Sequence, residues 1–438
     1  MLSLRTEKFP FTTRTTICTD KFLNSSKLAY FRLDINETTE RWIITVATKV
    51  SRMKRTLAGI LSCATLVSSL SLTSTAVSAE ATTDTSAGQS EESTTDSSVS
   101  GITITGMEGK YSTYYNSHKD AAKPKKEITI YATDYKEGTI DGTSFVNNVS
   151  EMTAEQAAVI APAVEEITQK SGDGFNGIKA FLAEDTDLKT DHYSTLKWKS
   201  DKLTLKYEFN VEETGLYNLE AIYYPIEGSE SKNTVLDIGL KIDGEYPFTA
   251  AQDITLDRYW KDEGEITRDN KDNDLRPGQV TYDCWIKYPI KDKEGLYNEP
   301  YYFYLEKGKH TMTLEGIRTY GVFHSFTFKN YDELVSYDSI KPTDDELQNT
   351  PALSSKNEEL GTNTIFLQAE EAAYKTASTL YATYDRTTYM TNPNHPTKQR
   401  YNTIGQATWN KATQAITYKF KVENDGYYRF NFKARQNQ

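Results

Sequence analysis

The chain contains one twenty-residue pattern twice, at residues 198–217 and again 211 residues later at 409–428. The copies align without a gap, and the identical pairs are Trp198/Trp409, Tyr207/Tyr418, Phe209/Phe420, Val211/Val422, Glu212/Glu423, Gly215/Gly426 and Tyr217/Tyr428. The pattern predicts two copies of one structural unit, with both tryptophans in its core. Only ten residues follow the second copy. We therefore expect the second unit to be incomplete and the sequence to be the front part of a longer protein.

Residues 53–79 have the three parts of a secretory signal peptide. Met53-Lys54-Arg55 is positive, residues 57–72 are apolar and hydroxyl-rich, and Val77-Ser78-Ala79 is a small-residue cleavage site. This apolar run falls short of the roughly 20 residues that span a bilayer, which favours a signal peptide over an uncleaved anchor. Residues 1–52 show no sustained periodicity and no turn-bounded strands. We expect them to be an over-extended N-terminus ahead of a true start at Met53.

The remaining chain is strongly acidic. Without residues 1–79 it has 39 basic and 57 acidic residues, a net charge of −18. This charge argues against nucleic acid or an anionic membrane surface as a partner. Cys284 is then the one cysteine left, so no intramolecular disulfide can form. An export signal without disulfides indicates a secreted protein at the cell surface of a Gram-positive bacterium, with no insertion into the lipid bilayer after processing.

The composition divides the chain into segments. Residues 80–125 are expected to be a disordered Ser/Thr-rich spacer, because they lack the apolar side chains needed for a core over much of their length. A first β-sandwich module is predicted at 126–332, a linker at 333–363, and a second, incomplete module at 364–438. One helix is predicted after the capping box of Thr153 and Gln156.

Short segments with period-two alternation and turn residues between them predict an all-β fold of antiparallel sandwiches. The predicted strands are 128–132, 203–209, 217–223, 235–242, 301–305, 310–314 and 322–328. Asp243-Gly244 is a hairpin signal, and the segments at 301–305 and 310–314 are predicted to form a hairpin around Gly308.

No sequence motif for catalysis is present: H-E-x-x-H, G-x-S-x-G and the P-loop are all missing. We therefore expect a non-catalytic protein. Aromatic residues in polar loops are the remaining chemical signal, because a flat ring can stack on a sugar. Tyr259, Trp260 and Trp285 are the predicted stacking residues, and Arg276 is predicted to bind sugar hydroxyls or a uronate carboxylate. The acidic loop at 269–274 fails the EF-hand pattern and is expected to be solvated, with irregular calcium binding as the alternative.

Several segments resemble the carbohydrate-binding modules of families 6 and 35. Residues 212–217 and 423–428 are similar to their V-x-x-x-G-x-Y strand junction, 305–314 to their G-x-H-x-L-x-L hairpin, and 367–370 to their opening A-E strand. The resemblance implies two galactose-binding-like jelly-roll modules that bind an oligo- or polysaccharide. It also implies a structural Ca²⁺ at Glu370, with Asp134 as the loose equivalent in the first module.

A second resemblance covers most of residues 126–438. Segments 241–248, 273–280, 299–304 and 402–405, with Trp409 and 435–437, are similar to an N-terminal region of extracellular solute-binding proteins of bacterial ABC transporters. This implies sugar uptake, with an ABC permease as partner through a C-terminal domain that this sequence lacks. The closing segment of the first module departs from the family pattern: Phe323-His324-Ser325-Phe326 stands where the family usually carries an Asn or Asp near the ligand loop, and it has no such group.

Three functions are thus open. The first is the carbohydrate-binding region of a surface solute-binding protein. The second is an accessory carbohydrate-binding module of a secreted glycoside hydrolase, and the third is a structural or adhesive sandwich with no sugar ligand.

Overall fold

A computed structural model describes residues 2–7, 29–33, 42–47, 109–167, 177–184, 191–228, 235–332, 335–343, 364–387, 391–422 and 426–434. The expected signal peptide at 53–79 lies outside these residues, as does the expected spacer up to residue 108. Within the described residues, no helix is long and apolar enough to cross a membrane.

The described residues form many short strands and four short α-helices. The strands are β1 Leu2–Glu7, β2 Ala29–Leu33, β3 Trp42–Ala47, β4 Ile128–Tyr131, β5 Glu137–Ile140, β6 Thr143–Val146, β7 Val164–Ile167, β8 Thr195–Lys199, β9 Leu203–Val211, β10 Gly215–Pro225, β11 Leu236–Ile242, β12 Ile254–Leu256, β13 Trp260–Asp262, β14 Thr267–Arg268, β15 Asp274–Leu275, β16 Gln279–Thr281, β17 Ile286–Pro289, β18 Tyr302–Leu305, β19 Gly308–Arg318, β20 Tyr320–Lys329, β21 Thr364–Leu367, β22 Tyr374–Lys375, β23 Ala382–Thr383, β24 Thr403–Ile404, β25 Ala415–Phe420 and β26 Gly426–Phe432. The helices are α1 Tyr111–His118, α2 Ala154–Ile160, α3 Ile178–Glu184 and α4 Tyr337–Ile340.

The first sandwich consists of two antiparallel sheets. One has seven strands in the order β17-β10-β20-β8-β7, with β18 on β10 and β4 on β20, and the other has the order β12-β11-β19-β9-β5-β6. Strand β9 shows how the sequence forms its core, since every second side chain from Leu203 to Val211 is buried. Trp198 is also buried, and its indole N–H donates to the carbonyl of Ser200 at 2.7 Å. The prediction of an all-β sandwich is confirmed.

The first copy of the repeat is a strand that crosses from one sheet to the other. β9 belongs to the six-stranded sheet and β10 to the seven-stranded sheet, so residues 212–214 are an arch between the layers. The second copy has the same form, because β25 and β26 also lie in different sheets, and Gly215 and Gly426 each begin a strand. The prediction that the repeat is one structural unit is therefore confirmed.

A second arch lies beside the first. β18 pairs with β10 and β19 pairs with β9, with Leu305 opposite Gly215 and Gly308 opposite Val211. The predicted hairpin at 301–314 is therefore wrong: its two strands enter facing sheets. Short connections and Gly308 (φ of 145°) suit both geometries, so the sequence pattern could not separate them.

Hydrogen bonds hold the two arches in place. The Tyr217 hydroxyl donates to the carbonyl of Glu213 at 2.7 Å, as in the tyrosine corner of other sandwiches. The backbone N–H of Lys307 donates to the Thr214 hydroxyl oxygen at 2.8 Å, which links one arch to the other. Tyr217 is itself buried, so its hydroxyl has to find a partner within the protein.

Helix α1 moves the start of the ordered first module to before residue 126, and helix α2 confirms the predicted helix after Thr153. α1 lies inside the expected spacer, yet Tyr111 is part of the first core, so the ordered region starts before residue 126. The sequence pattern missed it because the tyrosines of α1 pack on distant strands rather than on a neighbouring apolar segment. α2 follows the predicted capping box, in which Thr153 accepts from the Gln156 N–H and the Gln156 side chain accepts from the Thr153 N–H.

The second sandwich contains strands from three parts of the chain. One sheet has the order β2-β26-β1-β21 and the other the order β16-β13-β22-β25-β3. The prediction that residues 1–52 hold no strands is wrong for β1, β2 and β3, which pair through their backbones with β21, β25 and β26. Backbone pairing needs no side-chain periodicity, so the sequence carried no signal for it. That these residues are an over-extended reading frame stays a prediction.

The tyrosine corner can be tested with Tyr217→Phe. The change leaves the Glu213 carbonyl without its donor and is expected to lower the free energy of unfolding by about 1–2 kcal/mol. Urea unfolding followed by circular dichroism measures it. Tyr320→Phe, a half-buried tyrosine on β20, is the matched control and should unfold as the native chain does. Equal midpoints for both variants would contradict the role of the corner.

Candidate functional site

Three of the four predicted sugar-binding residues lie where the two sandwiches meet. Residues 259–282, called here the junction hairpin, leave the first sandwich as β13 and β16, which pair with each other. β13 also joins the second sandwich, because Trp260 pairs with Lys375 on β22. The predicted ligand loop is therefore a piece of sheet shared by both modules.

Tyr259 is used for packing at this junction. Its ring stacks on Tyr374 of the second module, with ring centres 4.7 Å apart, and Tyr374 stacks in turn on Tyr282 at 4.9 Å. The Lys419 ammonium donates to the Tyr282 hydroxyl at 2.8 Å. One face of the Tyr259 ring is thus covered by protein, and the ring also packs against the first core.

Arg276 and Trp260 remain partly accessible. The Arg276 guanidinium lies 3.8 Å from the centre of the Tyr381 ring of the second module, a cation–π contact, and the residue is exposed. Trp260 is half-buried. Both are placed to fix the modules together, while their open sides could still meet a ligand.

The prediction that Trp285 stacks on a sugar is wrong. It is 7% exposed and packs in a separate apolar cluster with Ile178, Leu182 and Val322. A ring enclosed in this way offers no face to a sugar. The sequence placed it beside a polar loop, but Trp285 is followed directly by the buried strand β17, which turns it inward.

The acidic loop at 269–274 is exposed at residues 270–272, as expected, whereas Asp274 at its end is buried against the second module. The Asp269 carboxylate accepts from the N–H groups of Lys271 and Asn273, both at 2.8 Å, which shapes the loop. The Arg400 guanidinium donates to Asp272 at 2.7 Å and to Asp274 at 3.2 Å. The sequence pattern could not predict this contact, because Arg400 stands 126 positions after Asp274 and belongs to no motif.

A buried ion pair completes the junction. The Lys375 ammonium, with a side chain 0% exposed, lies 2.6 Å from the Asp262 carboxylate on β13. Gln279 on β16 donates to the same oxygen at 2.5 Å. Burial lowers the pKa of Lys375, and the bond to Asp262 opposes that effect. Two separately folded modules would each have to leave one of these charges unpaired.

The junction predicts a specific stability loss. Arg400→Ala removes the more buried of the two cations on Asp274 and leaves the exposed Arg268, 3.2 Å from the same oxygen. We expect a loss of about 2 kcal/mol in the free energy of unfolding of the full chain, because hydrogen bonds to a buried carboxylate are lost. Urea unfolding followed by tyrosine fluorescence measures it. Lys206→Ala, which breaks an exposed pair with Glu137, is the control and should change little because water screens that pair. Equal losses would contradict a buried junction.

A polar cleft of about 360 Å³ lies on the first module, away from the junction hairpin in sequence. Its wall contains Asp134, Lys136, Asn147, Asn148, Glu151 and Glu208. Asp134, the predicted metal ligand of the first module, is exposed and lies just before β5. Asn147 donates to the carbonyl of Thr133 at 2.9 Å and Asn148 to Glu151 at 2.5 Å, which fixes the loop that forms one side. No motif or aromatic pattern in the sequence singles out these amides.

Glu370, the predicted calcium ligand of the second module, is buried at 4% exposure. Within the part of the chain that the structure describes, its Oε2 has no hydrogen-bond partner, and burial raises the pKa of its carboxyl to about 7. Among the described residues, no three His, Cys, Asp or Glu side chains converge as a metal site. Glu370 and Asp134, expected as equivalent positions in the two modules, lie in the second and the first module respectively.

His324 lies at the closing strand, where the sequence departs from the family pattern. It is buried on β20, with its Nδ1 2.9 Å from the Ser325 hydroxyl and its Nε2 3.0 Å from the carbonyl of His192. Burial lowers its pKa, so the neutral form is favoured. These contacts make His324 part of the sheet packing.

Comparison with known proteins gives structural likeness only. No family model matches the chain, and no curated protein matches it. Similar solved structures include a GH26-CBM35 β-(1,4)-mannanase of Podospora anserina (9% identity, 48% of this chain and 29% of that one, TM-score 0.24). Another is an exo-β-1,3-galactanase of Phanerochaete chrysosporium, with 10% identity over 47% of this chain and 29% of that one and a TM-score of 0.23. A family 35 carbohydrate-binding module of Clostridium thermocellum gives 9% identity over 39% of this chain and 93% of its own, with a TM-score of 0.19. This chain spans less than a third of the two enzymes.

Proposed function

We propose that this protein is a non-catalytic module that binds an oligo- or polysaccharide, and that the polar cleft beside Asp134 is the contact site. The observation that carries the proposal is the cleft itself. Its volume of about 360 Å³ is within the range of small-ligand pockets. Amide and carboxylate groups in its wall can accept from and donate to sugar hydroxyls.

The charge of the cleft limits which class of sugar it can bind. Asp134, Glu151 and Glu208 supply carboxylates, whereas Lys136 supplies the one ammonium in the wall. An acidic wall repels a uronate carboxylate, so the ligand is a neutral or amino sugar. This differs from a site at Arg276, where the guanidinium would favour an acidic sugar. The two sites can therefore be separated by ligand charge.

The test is retention of the full chain on native gels that contain neutral, amino and acidic soluble polysaccharides in turn. Glu208→Ala is expected to weaken retention on the neutral or amino polymer about tenfold, because one wall contact is lost. Glu245→Ala is the matched control: an exposed glutamate in a turn outside the cleft. Trp260→Ala tests the junction hairpin in parallel.

The outcomes separate the sites. If Glu208→Ala binds as the native chain does while Trp260→Ala loses retention, the site is the junction hairpin and the cleft assignment is wrong. If the native chain is not retained on any polymer, the sugar-binding proposal fails.

In that case a structural or adhesive sandwich is the second candidate. The specific observation in its favour is that the rings of Tyr259 and Trp285 pack against other residues of the protein. Retention of the native chain on a polymer would exclude this alternative.

A finer proposal is that the region belongs to an exported solute-binding protein for sugar uptake, with an accessory module of a glycoside hydrolase as the alternative. The sequence resemblance and the signal-peptide pattern support export to the cell surface. The mass and N-terminus of the native product, captured with an antibody to residues 126–330, test both points. A start at Glu80 would agree with processing after Ala79.

Calcium at Glu370 also stays a proposal, supported by its buried and unpartnered oxygen. If calcium binds there, 5 mM CaCl₂ should raise the melting temperature of the full chain relative to EDTA, by mass action. Glu370→Gln is expected to abolish this shift, whereas Glu371→Gln, an exposed neighbour, should keep it. If Glu370→Gln shows the same calcium-dependent rise in melting temperature as the native chain, calcium does not bind at Glu370.

A further inference from the structure

Residues 110–124, called here the strap, run along one edge of the seven-stranded sheet. β18 pairs with β10 on one side, and within the described part of the chain no strand pairs with its other side. In a strand of this kind alternate N–H groups point to the open edge. Here these are the N–H groups of Tyr302 and Tyr304.

Both open N–H groups are satisfied by side chains of α1. The Tyr302 N–H donates to the Tyr111 hydroxyl oxygen at 2.9 Å, and the Tyr304 N–H donates to the Tyr114 hydroxyl oxygen at 2.7 Å. Residues three apart in a helix lie on the same face, so α1 presents one acceptor to each donor. Burial raises the pKa of both hydroxyls and keeps them neutral.

Two further side chains of α1 pack against the same edge. The His118 ring stacks on Tyr304 with centres 4.4 Å apart, and the Tyr115 ring stacks on Tyr302 at 5.7 Å. Further along the strap, the carbonyl of Ala122 accepts from the Leu216 N–H at 2.8 Å, on the side of β10 that faces away from β18. The strap therefore covers both the backbone and the side chains of the β18 edge.

We propose that the strap is an edge lock: the hydroxyls of Tyr111 and Tyr114 occupy the free backbone donors of β18 and stop this edge from pairing with the β18 edge of a second copy of the chain. The partner follows from the strand itself. Its sequence, Tyr-Phe-Tyr-Leu at 302–305, has high β propensity, and an open apolar edge is a template for another strand. Two such edges can pair antiparallel about a twofold axis.

Hydrogen exchange resolved at single amides tests the lock in the full chain. Tyr111→Phe keeps the ring and removes the hydroxyl, so exchange at the Tyr302 amide should rise about fivefold while Tyr304 is unchanged. Tyr114→Phe should do the reverse. Tyr115→Phe, whose ring stacks on the same strand without bonding its backbone, is the matched control and should change neither amide.

Sedimentation velocity over a range of concentrations tests the consequence. The Tyr111→Phe/Tyr114→Phe double variant is expected to form dimers at concentrations where the native chain and Tyr115→Phe are monomeric. Unchanged exchange at both amides in the single variants would overturn the hydroxyl bonds. Raised exchange without dimers would overturn the lock. Because each single variant carries its own unaffected amide as a reference, general unfolding is recognised by a rise at both.

Discussion

The arrangement of this protein depends on the paired arches that carry the chain from one sheet to the facing sheet. The first arch joins β9 to β10 and the second joins β18 to β19, and the strands on either side pair with each other. A shift of one residue in either arch would turn every following side chain to the wrong face. The Tyr217 hydroxyl bond and the Lys307 bond to Thr214 fix the length of both crossings. The repeated sequence therefore marks the two places where a strand pair crosses from one sheet to the facing sheet.

The junction shows why aromatic and charged loops are difficult to interpret from sequence. A loop that stacks on a sugar and a loop that stacks on a neighbouring module have the same composition, because both use flat rings with polar groups beside them. Tyr259 and Arg276 have this composition, and each contacts an aromatic ring of the second module. The amides of the cleft come from a short loop after β6 and carry no aromatic signal.

Local patterns predicted the local elements well. The alternation of β9, the capping box of α2 and the position of Trp198 all follow from spacing along the chain. What could not be predicted depends on partners far away: Arg400 beside Asp274, α1 on β18, and the strands near the chain start. The hairpin prediction at 301–314 failed for a related reason, since which sheet a strand enters is decided by its distant neighbours. The cleft was missed because its wall combines residues from separate strands and loops.

Sharing one sheet between two modules limits how this chain can be divided. A fragment that ends between residues 333 and 363 would carry β13 without β22, and Asp262 would lose the ammonium of Lys375. Its backbone donors and acceptors would face water along a new free border. Such a fragment is expected to be less soluble than the whole chain, so the natural unit for expression and ligand screening includes both sandwiches.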